Sequence, residues 1–380
     1  MSRLRRVTAS ALLVLPLGLF AAGRPRLVHR PAAEEVVNYR GGAPRDGVYR
    51  GAGPRTQPAL LWQRTLGGST YAGSVHHGGT LYAGDSQGRL RAIDAATGAV
   101  KWTSVAEAIA SPPSVTADAV YATSALSFIY ALDKTSGQTL WSIPTRSPMF
   151  AAPLVTGGVL YAGSEAGDLF AIDVATHTEK WRYRGPREIH TQPALAADTV
   201  VFGSGPVLIA LDAATGIERW RFDSGTLAGG ISIANGTVYA VVDPGHLFAF
   251  DLYSGNVLWH VPPAAGVNGW TTLAVFNGLV YGGNNLRRLV ALDAFTGETR
   301  WTFDAADVPS DPIVADGVLY FGTWSPASSG TAERRVYALD TATGAQLWSA
   351  VVTGDVQAGP AVGEGIVFFT TTGGKVYAFQ

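Results

Sequence analysis

The chain has 380 residues, a formal net charge of −1, no cysteine and 46 glycines beside ten Trp, 14 Tyr and 15 Phe. Near-neutral charge with scattered Lys and Arg gives no electrostatic footprint for nucleic acid, and the missing cysteines exclude disulfides, thiolate metal sites and a thiol nucleophile. Glycine and aromatic enrichment favours short strands joined by tight turns over helices.

Arg3, Arg5 and Arg6 precede an apolar run from Val7 to Ala22, closed by the small residues Ala21-Ala22-Gly23. A basic start, a short apolar stretch and a small-residue exit read as a secretory signal peptide over residues 1–23. Left uncleaved, the same run would serve as an N-terminal membrane anchor. Residues 24–58 are rich in Arg, Pro and Gly without apolar periodicity, and are read as a linker.

From residue 59 onward one block recurs: a small apolar pair, Asp, two residues, usually Thr-Gly, three residues, then Trp. Its acids are Asp94, Asp133, Asp173, Asp212, Asp251, Asp293 and Asp340. Eight positions after each come Trp102, Trp141, Trp181, Trp220, Trp259, Trp301 and Trp348. Ahead of each Asp lie a Leu-Arg-Ala-Ile-like strand, a Leu-Tyr-Ala-Gly-like strand and an Ala-Pro-Leu-Val-like strand. Turn dipeptides such as Asn235-Gly236 and Asn277-Gly278 separate the last two. Four short strands repeated every 40 residues or so predict an all-β propeller of four-stranded antiparallel blades.

The termini supply the blade count. Trp62 lacks a preceding Asp, and Lys375–Gln380 is a third strand with no fourth after it. Joining them gives eight blades and a ring closed by the two ends, which leaves no exposed closing edge. The Asp is expected to accept backbone N–H groups across its turn, and the Trp to pack between blades. In the third unit His177 stands where Gly is expected, which predicts a left-handed backbone there.

Irregularity marks the candidate binding face. Antiparallel blades put the Asp-x-x-Thr-Gly turns and the Asn-Gly-like turns on one face. The second-to-third-strand loops and the blade crossovers lie on the other. Blade 7 carries an insertion through Trp324–Arg335, and the crossover before blade 6 is lengthened up to Trp270. Trp270 and Trp324, the two indoles outside the repeat, together with Arg187, His190, Asn284, Asn285, Arg287, Arg288, Arg334 and Arg335, form the candidate binding face. His76-His77 are adjacent on a strand, point to opposite sides and make no metal pair. No catalytic residue and no metal site is expected.

The Asp-x-x-Thr-Gly-x-x-x-Trp block resembles the tryptophan-docking motif of the PQQ-type, quinoprotein-like repeat family over residues 59–380. Within that family the size and blade number are similar to BamB-like exported propellers, and Asn38–Tyr49 resembles the lead-in that precedes many such rings. The resemblance implies a non-catalytic scaffold in the periplasm or outside the cell, monomeric, holding an envelope protein or small ligand on the variable-loop face. An extracellular sensor is the alternative without chemistry. The alternative with chemistry is a quinoprotein oxidoreductase that holds PQQ between a Trp and a disulfide of adjacent cysteines, with Ca²⁺ on acidic and amide side chains. The cysteines are absent, so no cofactor is expected. BamB-like proteins are usually lipoproteins, and here no cysteine follows the apolar segment.

Overall fold

The computed structural model describes residues 37–380, except 69, 71–72, 105–107, 110, 226–227 and 327–332. The expected signal or anchor segment, the first part of the linker and the middle of the blade 7 insertion therefore lie outside the described residues. Among those described, no helix is long and apolar enough to cross a membrane.

Eight antiparallel sheets follow one another along the chain. Blade 1 is built from Val75–His77, Thr80–Gly84, Leu90–Asp94 and Val100–Thr103. Blades 2 to 7 repeat this order over residues 114–144, 154–184, 194–223, 228–261, 274–304 and 313–353. Blade 8 takes three strands from residues 361–379, and Leu60–Thr65 pairs with Lys375–Phe379 as its outer strand. The ring closes as the terminal half-motifs predict.

All eight outer strands carry the same register shift, one residue before the Trp. An extra residue there bends the strand and increases its twist. It turns the indole sideways, toward the next blade. Trp62 Nε1 donates to the Ala95 carbonyl, Trp102 to Lys134, Trp181 to Ala213, Trp220 to Leu252, Trp259 to Ala294 and Trp301 to Thr341, at 2.8–3.1 Å. Each acceptor is the residue after the Asp of the following blade. In blades 3, 5 and 6 a second-strand tyrosine donates to the same carbonyl: Tyr161, Tyr239 and Tyr281.

The turn glycine must sit under that indole. A side chain added at Gly137 would meet the Trp102 ring at 2.5 Å, and one at Gly216 would meet Trp181 at 2.7 Å. These glycines hold φ near 72°. His177 takes the same left-handed conformation at φ 60°, as the motif predicts. Its imidazole lies against the Trp141 ring, with 5.1 Å between centroids. Trp141 is the one docked indole that donates no hydrogen bond among the described residues.

Across the turn the Asp carboxylates collect donors: Asp133 accepts from the Thr135 and Ser136 hydroxyls and from both their amides. Those hydroxyl bonds hold its pKa down at about 2. The residue after each Asp also donates its amide to the neighbouring hairpin turn, as from Ala213 to Asp198 and from Leu252 to Gly236. Both turn types thus share one face, as alternation requires.

Replacing His177 by Gly removes a strained left-handed residue and frees Trp141 to reach the Val174 carbonyl. The expected gain is about 1 kcal/mol in chemical denaturation. An unchanged midpoint would show that the imidazole contact compensates.

Candidate functional site

The stretch read as a linker divides. Residues 37–49 run along the inner edges of the blades, at the axis. Each inner strand turns one backbone amide toward the axis, at the position of Val115, Val155, Leu195, Ile233, Val275 and Val314 in blades 2 to 7. Val37 exchanges both backbone bonds with Val115, and Asn38 uses its carboxamide to do the same with Val155. The carbonyls of Ala43, Pro44, Asp46 and Gly47 then accept from Leu195, Ile233, Val275 and Val314. Six blades are visited in order. The corresponding amides of His76 in blade 1 and Val362 in blade 8 receive no such partner among the described residues. There Tyr39 reaches across instead, accepting from the Gly359 amide and lying on Gly73.

Two arginines anchor the segment, each 0% exposed. Arg45 donates from Nε to Pro193 O at 2.7 Å, from Nη1 to Tyr39 O at 2.7 Å, and from Nη2 to Ala152 O and Pro153 O. No carboxylate pairs with it, and burial pulls its pKa down to about 9. Arg40 donates from Nη2 to Leu273 O at 2.7 Å, while its Nη1 lies 3.7 Å from Asp311. The fixed fork of a guanidinium suits several carbonyls at once. Polar, proline-rich chemistry hid this from composition. The Arg-x4-Arg spacing beside two tyrosines was the one available signal.

Past Tyr49 the chain crosses the hairpin-turn face. Ala52 O accepts from Gly365 and Arg55 donates to Asp316 O. Pro54 O accepts from Trp348 Nε1 at 2.7 Å and from Tyr320 at 3.1 Å. Blade 8 has Gln380 where the Asp would stand, so this carbonyl takes the place of the missing turn.

On the opposite face the predicted residues fall into two groups. Trp270 is half-buried and donates to Gly245 O at 2.9 Å, bracing blade 6 against blade 5. Asn284 is buried and caps its own loop through the Leu286 and Arg288 amides. Asn285 bonds Gly266 and Asn268. Arg287 lies 4.0 Å from Asp307, which also faces Arg334 at 3.7 Å, and Arg334 pairs with Asp355 at 2.7 Å. Arg288 pairs with Asp304, and Arg335 donates to Ser349. Trp324 pairs with Val308 and is half-buried. Most of their polar groups are spent on neighbouring residues outside the set.

Arg187 and His190 lie apart, on the crossover from blade 3 to blade 4. His190 Nε2 is 2.6 Å from Glu165. Arg187 is exposed, leans on Gly205, and its guanidinium has no partner among the described residues. The loop above it is only Gly205-Pro206, because blade 4 is short by two residues there. In the blade 2 loop and the crossover that follows blade 2, Leu126 and Phe150 stand 51% and 48% exposed. Neither was singled out by sequence, since both sit in loops without a repeat position to violate.

No group of three or more His, Cys, Asp or Glu gathers among the described residues.

The sequence profile of the outer membrane protein assembly factor BamB family matches residues 54–261 and 245–380. The chain belongs to this family. It is similar to the outer membrane protein assembly factor BamB of Moranella endobia, at 24% identity over 64% of this chain and 72% of the relative. A 165-residue stretch is 33% identical to part of the serine/threonine-protein kinase AfsK of Streptomyces griseus, covering 39% of this chain and 20% of the kinase. Among solved structures, BamB from Moraxella catarrhalis matches with a TM-score of 0.68 at 19% identity, over 85% of this chain and 97% of that one. Quinohemoprotein alcohol dehydrogenase from Comamonas testosteroni matches at 0.72 and 16% identity, over 90% and 80%. At these identities both structures speak for the propeller fold alone.

Replacing Arg45 by Met strands the Ala152, Pro153 and Pro193 carbonyls at the axis. Urea denaturation should show a loss of about 3 kcal/mol. Arg187→Met, on the surface, should stay within about 0.5 kcal/mol of the parent.

Proposed function

We propose that the chain is a non-catalytic, exported scaffold that holds a protein partner of outer-membrane assembly on its crossover-loop face. The observation that carries this reading is that exposed Phe150 and Leu126 and the unpartnered guanidinium of Arg187 all lie in the loops and crossovers of blades 2 to 4. Large apolar side chains beside an arginine suit the centre of a protein interface. Elsewhere on that face the candidate residues are already bonded to their neighbours, which makes the blade 2–4 sector the most available for binding. His190 belongs to the same sector. Family membership supplies the partner class, and the apolar run of residues 7–22 supports export, as a signal peptide or an anchor. The chemistry of the sector fits a partner segment that offers apolar and acidic side chains.

The match to part of a kinase favours a second reading, a sensing propeller. It would use the same face for a small ligand.

The test is cross-linking and affinity capture of the full chain in its own cells. Phe150→Ala with Arg187→Glu should lower recovery of an outer-membrane assembly component at least about tenfold, with the melting temperature unchanged. Trp270→Ala should leave capture intact. Loss through Trp270 alone would move the interface to blades 5–7, and capture indifferent to all three would remove the proposal.

A further inference from the structure

We propose that the axial rim of this propeller is a binding site for an extended peptide, and that residues 37–49 are its resident, exchangeable ligand. Recognition there is main chain to main chain. The carbonyls of Ala43, Pro44, Asp46 and Gly47 meet one amide each from four successive blades, with Arg45 skipped between them. Val37 and Asn38 extend the series to blades 2 and 3. This is strand addition bent around a ring: backbone groups supply affinity, and side-chain anchors fix the register.

Two anchors set that register. Arg45 grips blades 3 and 4 through the Ala152, Pro153 and Pro193 carbonyls, and Arg40 grips blade 6 through Leu273. Tyr39 and Tyr49 enter the packed cores beside blades 1 and 7. The ligand class is therefore an extended segment with an aromatic residue ahead of two arginines five positions apart.

The segment also leaves the ring as a ligand would. Its downstream connection, residues 50–58, is exposed at Arg50–Ala52 and again at Arg55–Gln57. Between these stretches Gly53 is buried and Pro54 accepts from Trp348 and Tyr320, while Ala52 and Arg55 make one hydrogen bond each to the hairpin turns. The amides of His76 and Val362 have no backbone partner among the described residues.

The experiment keeps the full chain. A protease site placed at Arg55–Gln57 is cut after folding, and a fluorescent peptide of residues 37–56 is added in excess. The cut fragment should co-elute with the ring in gel filtration, and the labelled peptide should replace it without denaturant. The same peptide carrying Arg45→Ala should compete about tenfold or more weakly. A ring that collapses on cutting, exchange that needs denaturant, or a scrambled peptide competing equally well would each overturn the proposal.

Discussion

Everything in this molecule depends on an indole reaching sideways to a carbonyl of the next blade. One blade cannot bury its own faces, and the bulge before each Trp converts four strands into a unit that must have a neighbour. A docked indole removes a large apolar surface from water, and truncating one to Ala costs about 3–5 kcal/mol. Six of these contacts end on the carbonyl of the residue after an Asp, and Trp141 packs on His177 instead. Trp348 has no such turn to reach, because blade 8 carries Gln380 in place of the Asp. Pro54 supplies the acceptor for Trp348 and Tyr320, and the outer strand Leu60–Thr65 follows directly. Ring closure, the axial segment and the last indole contact are thus properties of one stretch, residues 37–65.

Most of the fold was legible because the repeat is chemical as well as periodic. Asp, Gly and Trp each answer a local need: amide acceptor, left-handed turn, interblade surface. The half-motifs at Trp62 and Gln380 then announce closure, and His177 reads correctly as a left-handed residue because its position in the motif demands one. The axial segment was not legible. Its contacts are made by backbone carbonyls, which leave no apolar pattern. Arg40 and Arg45 look like linker charges until the carbonyls around them are seen.

The candidate face was legible only in outline. Alternation along antiparallel strands puts Trp270, Trp324, Arg187 and the blade 6 and 7 residues in the second-to-third-strand loops and the crossovers. Spacing cannot tell which side chains are spoken for. Trp270 found the Gly245 carbonyl and Arg334 found Asp355, whereas Arg187 was left uncovered by a loop two residues shorter than its neighbours. Phe150 and Leu126 carry no repeat signature, and their exposure emerges only from the packing of the crossover. The functional reading follows from that contrast: a rigid ring whose axis is filled by its own chain keeps its free chemistry on the crossover-loop face.

The central claim is that residues 37–47 complete the inner edges of blades 2 to 7 and supply no backbone partner to blades 1 and 8. Native-state hydrogen exchange, read residue by residue, tests it directly. The amides of Val115, Val155, Leu195, Ile233, Val275 and Val314 should exchange slowly and together, with His76 and Val362 clearly faster. Equal protection at all eight positions, or rapid exchange at the six, would contradict the account.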